Sequence, residues 1–274
     1  MNYLNLDKRF QPFGKSIAFE AFTFNGGEPH IKLKTSLSAT DEVTITTRIR
    51  SFNDLGFLLL ANDALRRVEV QKIHLFLPYF PAARQDRVAV AGEPLTVKIY
   101  ADLINQCKFE TVTILDPHSD VTPTLVNRVK VINNHRFVAA CLAKVTDYQL
   151  VSPDSGALKK VFQLARFLGK KTVIECSKQR EVATGNLTAF TVYADDLAGQ
   201  TCVLVDDICD GGGTFLGLAA ELKKKGAGDL ILIVTHGIFS KGFEALGQYF
   251  SKIYATNSFA DFDNDLLIQQ PAIG

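Results

Sequence analysis

Short apolar runs at 73–77, 112–115, 149–151, 172–175, 202–205 and 230–234 alternate with longer stretches at 95–105, 156–168 and 214–225, whose apolar residues recur at helical spacing. The chain therefore repeats one unit: an apolar strand, a polar or glycine-bearing turn, then a helix. Strands joined through crossover helices run parallel, the helices cover both faces of the sheet, and ligands bind at the carboxyl ends of the strands. This pattern predicts an α/β protein. Residues 18–49 are richer in Thr and alternate apolar with polar positions, which predicts antiparallel strands and hairpins there. A weak boundary at 133–145, after which a second strand-turn-helix series begins, divides the 274 residues into halves expected at 1–137 and 138–274. No Pro/Gly-rich linker marks the join, and the last residues are expected to pack back on the first half.

Among these units the segment 203–214, VLVDDICDGGGT, is richest in chemistry. An apolar run feeds two adjacent carboxylates, a third carboxylate, three glycines and a threonine, and then a helix with Phe215, Leu218, Ala219 and Leu222 at helical spacing. Such a turn presents backbone N–H groups and the positive end of a helix to an anion, so a phosphate is its natural occupant. Asp206, Asp207 and Asp210 repel a phosphate and suit instead the hydroxyls of a sugar, or a magnesium ion, beside it. The plainer reading is a strand-to-helix turn that needs glycine only for its backbone geometry.

Composition excludes several classes. Thirty basic residues stand against twenty-nine acidic ones, which removes the electrostatic argument for a nucleic-acid partner. The five cysteines, Cys107, Cys141, Cys176, Cys202 and Cys209, form no CxxC and read as reduced thiols rather than a disulfide framework or zinc cluster. The first residues carry no signal-peptide apolar stretch, and no apolar run approaches the length of a membrane span. The expectation is a cytoplasmic protein with neither a membrane nor a nucleic-acid partner.

The segment 203–214 resembles the phosphoribosyl-diphosphate (PRPP) binding loop shared by type I phosphoribosyltransferases and PRPP synthetases. Further motifs separate those groups. LPYFPAARQDR at 77–87 resembles the PYxxxARQDR signature of the PRPP synthetases, the ribose-phosphate pyrophosphokinases, and GEPLTVKIYADLI at 92–104 is similar to that family's REPxTAKLxAxLL stretch. LDPHSD at 115–120 is similar to its DLHA turn, and VSPDSGALKK at 151–160 to its SPDxGGxKR stretch. These matches, in order, extend from about residue 24 to about residue 258 of the chain.

The resemblance implies two phosphoribosyltransferase type I-like domains, each a mostly parallel sheet flanked by helices. It also implies an activity, the transfer of an intact diphosphate from ATP to the anomeric hydroxyl of ribose 5-phosphate, with Mg2+ required and AMP released. By the same resemblance Asp210, Gly211, Gly212, Gly213 and Thr214 hold the 5-phosphate, while Asp206 and Asp207 take ribose hydroxyls. Arg84 and Gln85 contact ATP, and Phe24 and Glu28 fall where the family reaches a neighbouring subunit's adenine pocket. His118 and Asp154 match the family's metal positions. Lys178 and Arg180, in ECSKQREVATG at 175–185, match a lysine-spacer-arginine pair on a loop beyond a strand, where two cations close on the transferring diphosphate.

Each assignment has a bland counterpart on the bare residues. Arg84-Gln85 suits an ordinary surface loop, His118 a capped turn, Phe24 a packed core and Lys178–Arg180 a solvated charged loop. His236, at another strand end, either lines the pocket or caps the turn. Two other function classes share the loop: a phosphoribosyltransferase that consumes PRPP, and a non-catalytic PRPP-synthetase-associated regulator.

Departures from the family carry expectations too. Gly211 stands where the family has a hydroxyl residue, which removes one phosphate contact. Val88-Ala89-Val90-Ala91-Gly92 replaces a polar, basic stretch whose serine and arginine contribute to a regulatory anion site in the family. The implied enzyme is active without added phosphate and insensitive to allosteric ADP. With that interface altered, the homo-oligomer expected from the family is a dimer or a hexamer.

Overall fold

The structure, a computed structural model, describes residues 1–180 and 187–273, with the backbone alone at 179, 180, 187 and 188. The chain divides into two compact units, Met1–Asn133 and Asn134–Ala272. Each is an α/β unit with a mostly parallel sheet.

The first unit runs β1 (Asn2–Asn5), β2 (Phe19–Thr23), β3 (Pro29–Leu33), β4 (Glu42–Thr46), α1 (Phe52–Arg67), β5 (Lys72–Leu77), α2 (Thr96–Gln106), β6 (Thr111–Leu115), α3 (Val121–Leu125) and β7 (Val129–Ile132). Its five-stranded sheet has the order β1-β4-β5-β6-β7 and is parallel throughout. The antiparallel expectation for 18–49 holds for the β2–β3 hairpin and fails for β4, which pairs parallel with both β1 and β5. The threonines of β4 disguise a buried strand: Val43 and Ile45 are wholly buried, and Thr46 stays inside because its hydroxyl donates to Asn5 at 2.7 Å.

The sequence pattern also left α1 unannounced. Its apolar residues crowd into a near-continuous run, FLLLA, that hides the stripe Leu55, Leu58, Ala61 and Leu65 facing the sheet. The start is nonetheless written in the chain as a capping box, in which the Ser51 hydroxyl accepts from the Asp54 amide and the Asp54 carboxylate accepts from the Ser51 amide. Burial of each such leucine contributes about 1.5–3 kcal/mol.

The second unit runs α4 (His135–Cys141), β8 (Gln149–Ser152), α5 (Ser155–Phe167), β9 (Val173–Arg180), β10 (Leu187–Val192), β11 (Cys202–Cys209), α6 (Gly213–Lys224), β12 (Leu230–Gly237), α7 (Glu244–Gly247), β13 (Phe250–Thr256) and β14 (Leu267–Gln270). The strand order is β10-β9-β8-β11-β12-β13-β14, parallel except for β10, which returns antiparallel to β9. Side chains of β11 alternate between two cores. Val203 and Val205 pack with Val161 and Leu164 of α5, and Leu204 packs with Phe215, Leu218 and Leu222 of α6 on the other face.

Two features of this unit position the site. From β8 the chain proceeds to β9 on one side, and from β11 to β12 on the other, so the strand order reverses between β8 and β11. At such a switch point the loops leaving adjacent carboxyl ends diverge and open a crevice for a ligand. The second feature is a close approach: Gly217 of α6 lies against Phe190 of β10, and a Cβ at that position would overlap the ring. Any larger residue there would have to displace the Phe190 ring for α6 to seat on β10.

Candidate active site

The strand β11 does not end at 205, where its apolar run ends. Pairing with β12 continues through Asp206 opposite Val234, Ile208 opposite His236 and Cys209 opposite Gly237. Backbone hydrogen bonds ignore the side-chain chemistry that stops an apolar run, so Asp206 and Asp207 ride on the strand rather than in the glycine turn. The turn proper is Asp210 and Gly211, followed by Gly212 at φ 78°, a left-handed conformation natural to glycine, as the N-cap of α6. No side chain caps this helix, and the first amides of α6 keep their donors for another acceptor.

Charges gather at the switch point. The Asp207 amide donates to Asp206 Oδ1 at 2.9 Å. Desolvation, then the charge and hydrogen bond of Asp207, then the charge of Asp154 hold the Asp206 carboxyl well above the ordinary aspartate range. Asp207 is 6% exposed, and the Lys160 ammonium of α5 stands 3.9 Å from its Oδ2. Lys160, Asp206, Asp207, Val205 and Asn134 line a common pocket.

Asp154, in the loop after β8, is the N-cap of α5 and accepts from the Ala157 amide at 2.9 Å. Its carboxylate also meets Lys178 Nζ at 2.5 Å. Desolvation opposes ionisation of Asp154, yet Lys178 together with the amides of Ala157 and Gly156 brings its carboxyl below the ordinary range. Asp210 is held by the Ser240 hydroxyl, which donates to its Oδ1 at 2.6 Å. Burial first, with the charges of Asp206 and Asp210 adding, pushes the Cys209 thiol beneath the turn up to about 12, so it stays a neutral, inert thiol.

The second unit thus brings Asp154, Lys178, Asp206, Asp207 and Asp210 to one end of its sheet. Lys178 and Arg180 differ from expectation in setting: they lie within β9, paired with Phe190 and Leu187 of β10, rather than on a loop beyond the strand. The strand outlasts its apolar stretch because β10 supplies an antiparallel partner. Residues 181–185 of that motif lie outside the described residues, as does the Arg180 side chain.

In the first unit, Phe24 and Glu28 occupy the tip of the β2–β3 hairpin, closed by the Phe24 amide donating to the Glu28 carbonyl at 2.8 Å. Phe24 is 51% exposed and stacks edge-on against Phe22, with His30 beside both, which removes the core-packing reading. Arg84 and Gln85 are exposed in the loop between β5 and α2, where the Gln85 carbonyl accepts from the Val97 amide at the start of α2. His118 is exposed in the turn between β6 and α3. Within the Val88–Gly92 stretch the chain turns tightly, with the Ala89 and Val90 amides both donating to Glu93 at 3.1 Å.

Among the described residues no three His, Cys, Asp or Glu side chains gather to hold a metal ion. His118 and Asp154 belong to different units. His236 is 2% exposed within β12, and its Nδ1 lies 2.7 Å from the Ser258 hydroxyl. Because that hydroxyl donates its single proton to the Thr235 carbonyl, at 3.1 Å, the bond to Nδ1 requires the ring nitrogen to be the donor.

Lys160 and Ser240 reach this site unforeseen. Lys160 sits in the 151–160 stretch and carries the signal of a basic residue in the second turn of a helix that starts at the switch point. Ser240 carried none, since only the fold returns the loop after β12 to the turn after β11. The structure also shows no helix long and apolar enough to cross a membrane among the described residues.

Residues 15–107 match the model of the N-terminal domain of ribose phosphate pyrophosphokinase, and residues 130–263 that of the phosphoribosyl transferase domain. The chain is 28% identical to the ribose-phosphate pyrophosphokinase of Mycoplasmopsis pulmonis over 249 residues, covering 88% of this chain and 76% of that one. It is 32% identical to that of Bradyrhizobium diazoefficiens over 226 residues, covering 80% and 69%. The fold superposes on the phosphoribosylpyrophosphate synthetase of Mycobacterium smegmatis with a TM-score of 0.85 at 24% identity, covering 99% of this chain and 95% of that one. Matched in both units, and sharing nearly a third of its aligned residues with a relative that it covers over most of its length, the chain belongs to the ribose-phosphate pyrophosphokinase family.

Proposed function

We propose that the chain is a ribose-phosphate diphosphokinase that transfers the β,γ-diphosphate of ATP to the anomeric oxygen of ribose 5-phosphate, forming PRPP and releasing AMP. The observation that carries this reading is the convergence, at the β8–β11 switch point, of Lys178 and three carboxylates with an α6 N-terminus that no side chain caps. A sugar phosphate satisfies both features. Its phosphate takes the amides of Gly213 and Thr214 and the Thr214 hydroxyl, and its hydroxyls donate to Asp206 and Asp207.

The remaining assignments follow the family motifs. Arg84 and Gln85 hold ATP, with Phe24 and Glu28 of a neighbouring subunit closing over the adenine, which makes a homo-oligomer, dimer or hexamer, part of the proposal. Lys178 and Arg180 neutralise charge on the diphosphate as its bond to AMP breaks. Because nothing but positioning and electrostatics is asked of the protein in such a transfer, these cations account for much of the rate.

Magnesium suits the donor set. The cluster offers carboxylate oxygens, and a cation beside Asp206 would offset the desolvation and acidic neighbours that raise its carboxyl above the ordinary range. His118 and Asp154, one in each unit, match the family's metal positions and are the residues that would hold it. When bound, the ion neutralises the diphosphate. Asp154 is engaged by Lys178 at 2.5 Å, so the carboxylate proposed for the ion and the cation proposed for the diphosphate are held side by side.

The exposed turn at 88–92 has neither a hydroxyl nor a guanidinium to hold a regulatory anion, and we assign the enzyme no allosteric control by phosphate or ADP. The deciding experiment is incubation of the pure protein with Mg2+, ATP and ribose 5-phosphate. PRPP and AMP in equal amounts are expected; failure to form either overturns the reading, and a phosphoribosyltransferase would form no AMP from these substrates.

A further inference from the structure

We propose that Lys241 is a ligand of the sugar phosphate, its ammonium completing the cradle that Gly211 leaves open. The proposal rests on the reading of residues 210–214 as the 5-phosphate site. Gly211 is not among the glycines with positive φ, so its backbone does not demand glycine. What its missing side chain provides is room. A Cβ on Gly211 would stand 3.4 Å from both Cδ and Cε of Lys241, at van der Waals contact, and a branched hydroxyl residue would project into the lysine stem. The stem therefore occupies the side of the turn where a side chain at 211 would lie, and the ammonium sits one bond beyond Cε.

The segment bearing Lys241 is anchored on every side of it. The Ile238 and Phe239 amides both donate to the Cys209 carbonyl, at 2.8 and 3.1 Å, which ties the segment to the end of β11. Phe239, 4% exposed at φ 46°, packs its ring against Phe243 and Phe262. The Gly242 amide donates back to the Phe239 carbonyl at 2.9 Å, and Ser240 bonds Asp210. Farther along, Leu246 lies over Gly212, 3.1 Å from where a Cβ would be. The loop after β12 thus covers the loop after β11, with Lys241 its one cationic residue over the turn.

Among the described residues no carboxylate pairs with this ammonium. A lysine with its stem laid on a surface and its head in solvent is a common arrangement, and by itself implies nothing. Here the stem lies against Gly211, one residue before the N-cap of a helix that no side chain caps, and a charge-assisted bond from lysine to phosphate is about twice as strong as a neutral one. The ammonium at 241 then supplies a phosphate donor on the side of the turn where Gly211 has none.

The test is direct titration of ribose 5-phosphate into the wild-type protein, Lys241→Met and Lys241→Arg, with ATP binding as the control. Methionine keeps the stem and removes the charge. Lys241→Met is expected to weaken ribose 5-phosphate binding by about 10- to 100-fold, to flatten its salt dependence and to leave ATP binding unchanged, and arginine to restore most of the loss. Binding by Lys241→Met within about twofold of wild type, with the same salt dependence, overturns the proposal and leaves the site reading intact. A wild-type protein that binds no ribose 5-phosphate overturns the site reading itself.

Discussion

Lys178 and Asp154 face each other at 2.5 Å, a cation proposed for diphosphate transfer held by a carboxylate proposed for metal. The pair lies on adjacent elements, since β9 supplies the lysine and the loop between β8 and α5 the aspartate. Both groups are therefore pre-positioned at the switch point, and each satisfies the other until substrate arrives.

Replacing the lysine tests its proposed role. Lys178→Ala is expected to lower turnover about 1,000-fold or more, as removal of a cation from a phosphoryl-transfer site does, with ribose 5-phosphate affinity nearly unchanged. Steady-state kinetics with a parallel binding titration measure both. Near-normal turnover in the variant would remove Lys178 from the mechanism.

Asp206 should trade stability for function. Its folded carboxyl keeps the proton above the ordinary value of 3.8, so as pH rises past that value the unfolded chain ionises first and wild-type stability falls until the folded group also ionises. Asp206→Asn carries no such penalty. Its thermal midpoint is expected to match wild type near pH 4 and to exceed it by a few degrees near pH 8, at about the scale of one or two stabilising changes, with activity lost. A gap that does not grow with pH would show that the carboxyl is not held protonated.

Gly212→Ala puts a side chain at φ 78° and against Leu246. A destabilisation of about 1 kcal/mol or more is expected from the backbone strain, read by urea denaturation, together with weaker ribose 5-phosphate binding as the α6 amides shift. Unaltered stability and affinity would mean the turn tolerates rearrangement.

Regulation is checked by initial rates with and without inorganic phosphate. The turn at 88–92 predicts full activity in its absence and no more than competitive inhibition by ADP. An absolute requirement for phosphate would show that an anion site exists elsewhere on the protein.

Much of this was legible in the chain because α/β units write their periodicity plainly. The strands that carry the site, β8, β9, β11 and β12, each begin within a residue of where their apolar runs do, and α5 and α6 match their helical stretches to within one residue at each end. The strands β9 and β11 outlast their apolar runs, since charged residues stop an apolar run and do not stop backbone pairing. The helix α1 was hidden by an apolar surplus rather than a deficit. Within the site, the residues that local motifs hold together, 206 to 214, were visible, whereas Lys160, Ser240 and Lys241 meet them only through the order of strands in the sheet.

The contact of Gly217 with Phe190 links the two ends of the proposed chemistry. Gly217 belongs to the helix whose first turn forms the phosphate cradle, and Phe190 stands opposite Lys178 in the β9–β10 ladder. The separation between cradle and lysine is thereby set by a hydrogen atom on one side and a ring on the other. A residue with no reactive group then acts as a spacer in the proposed chemistry without touching its substrates.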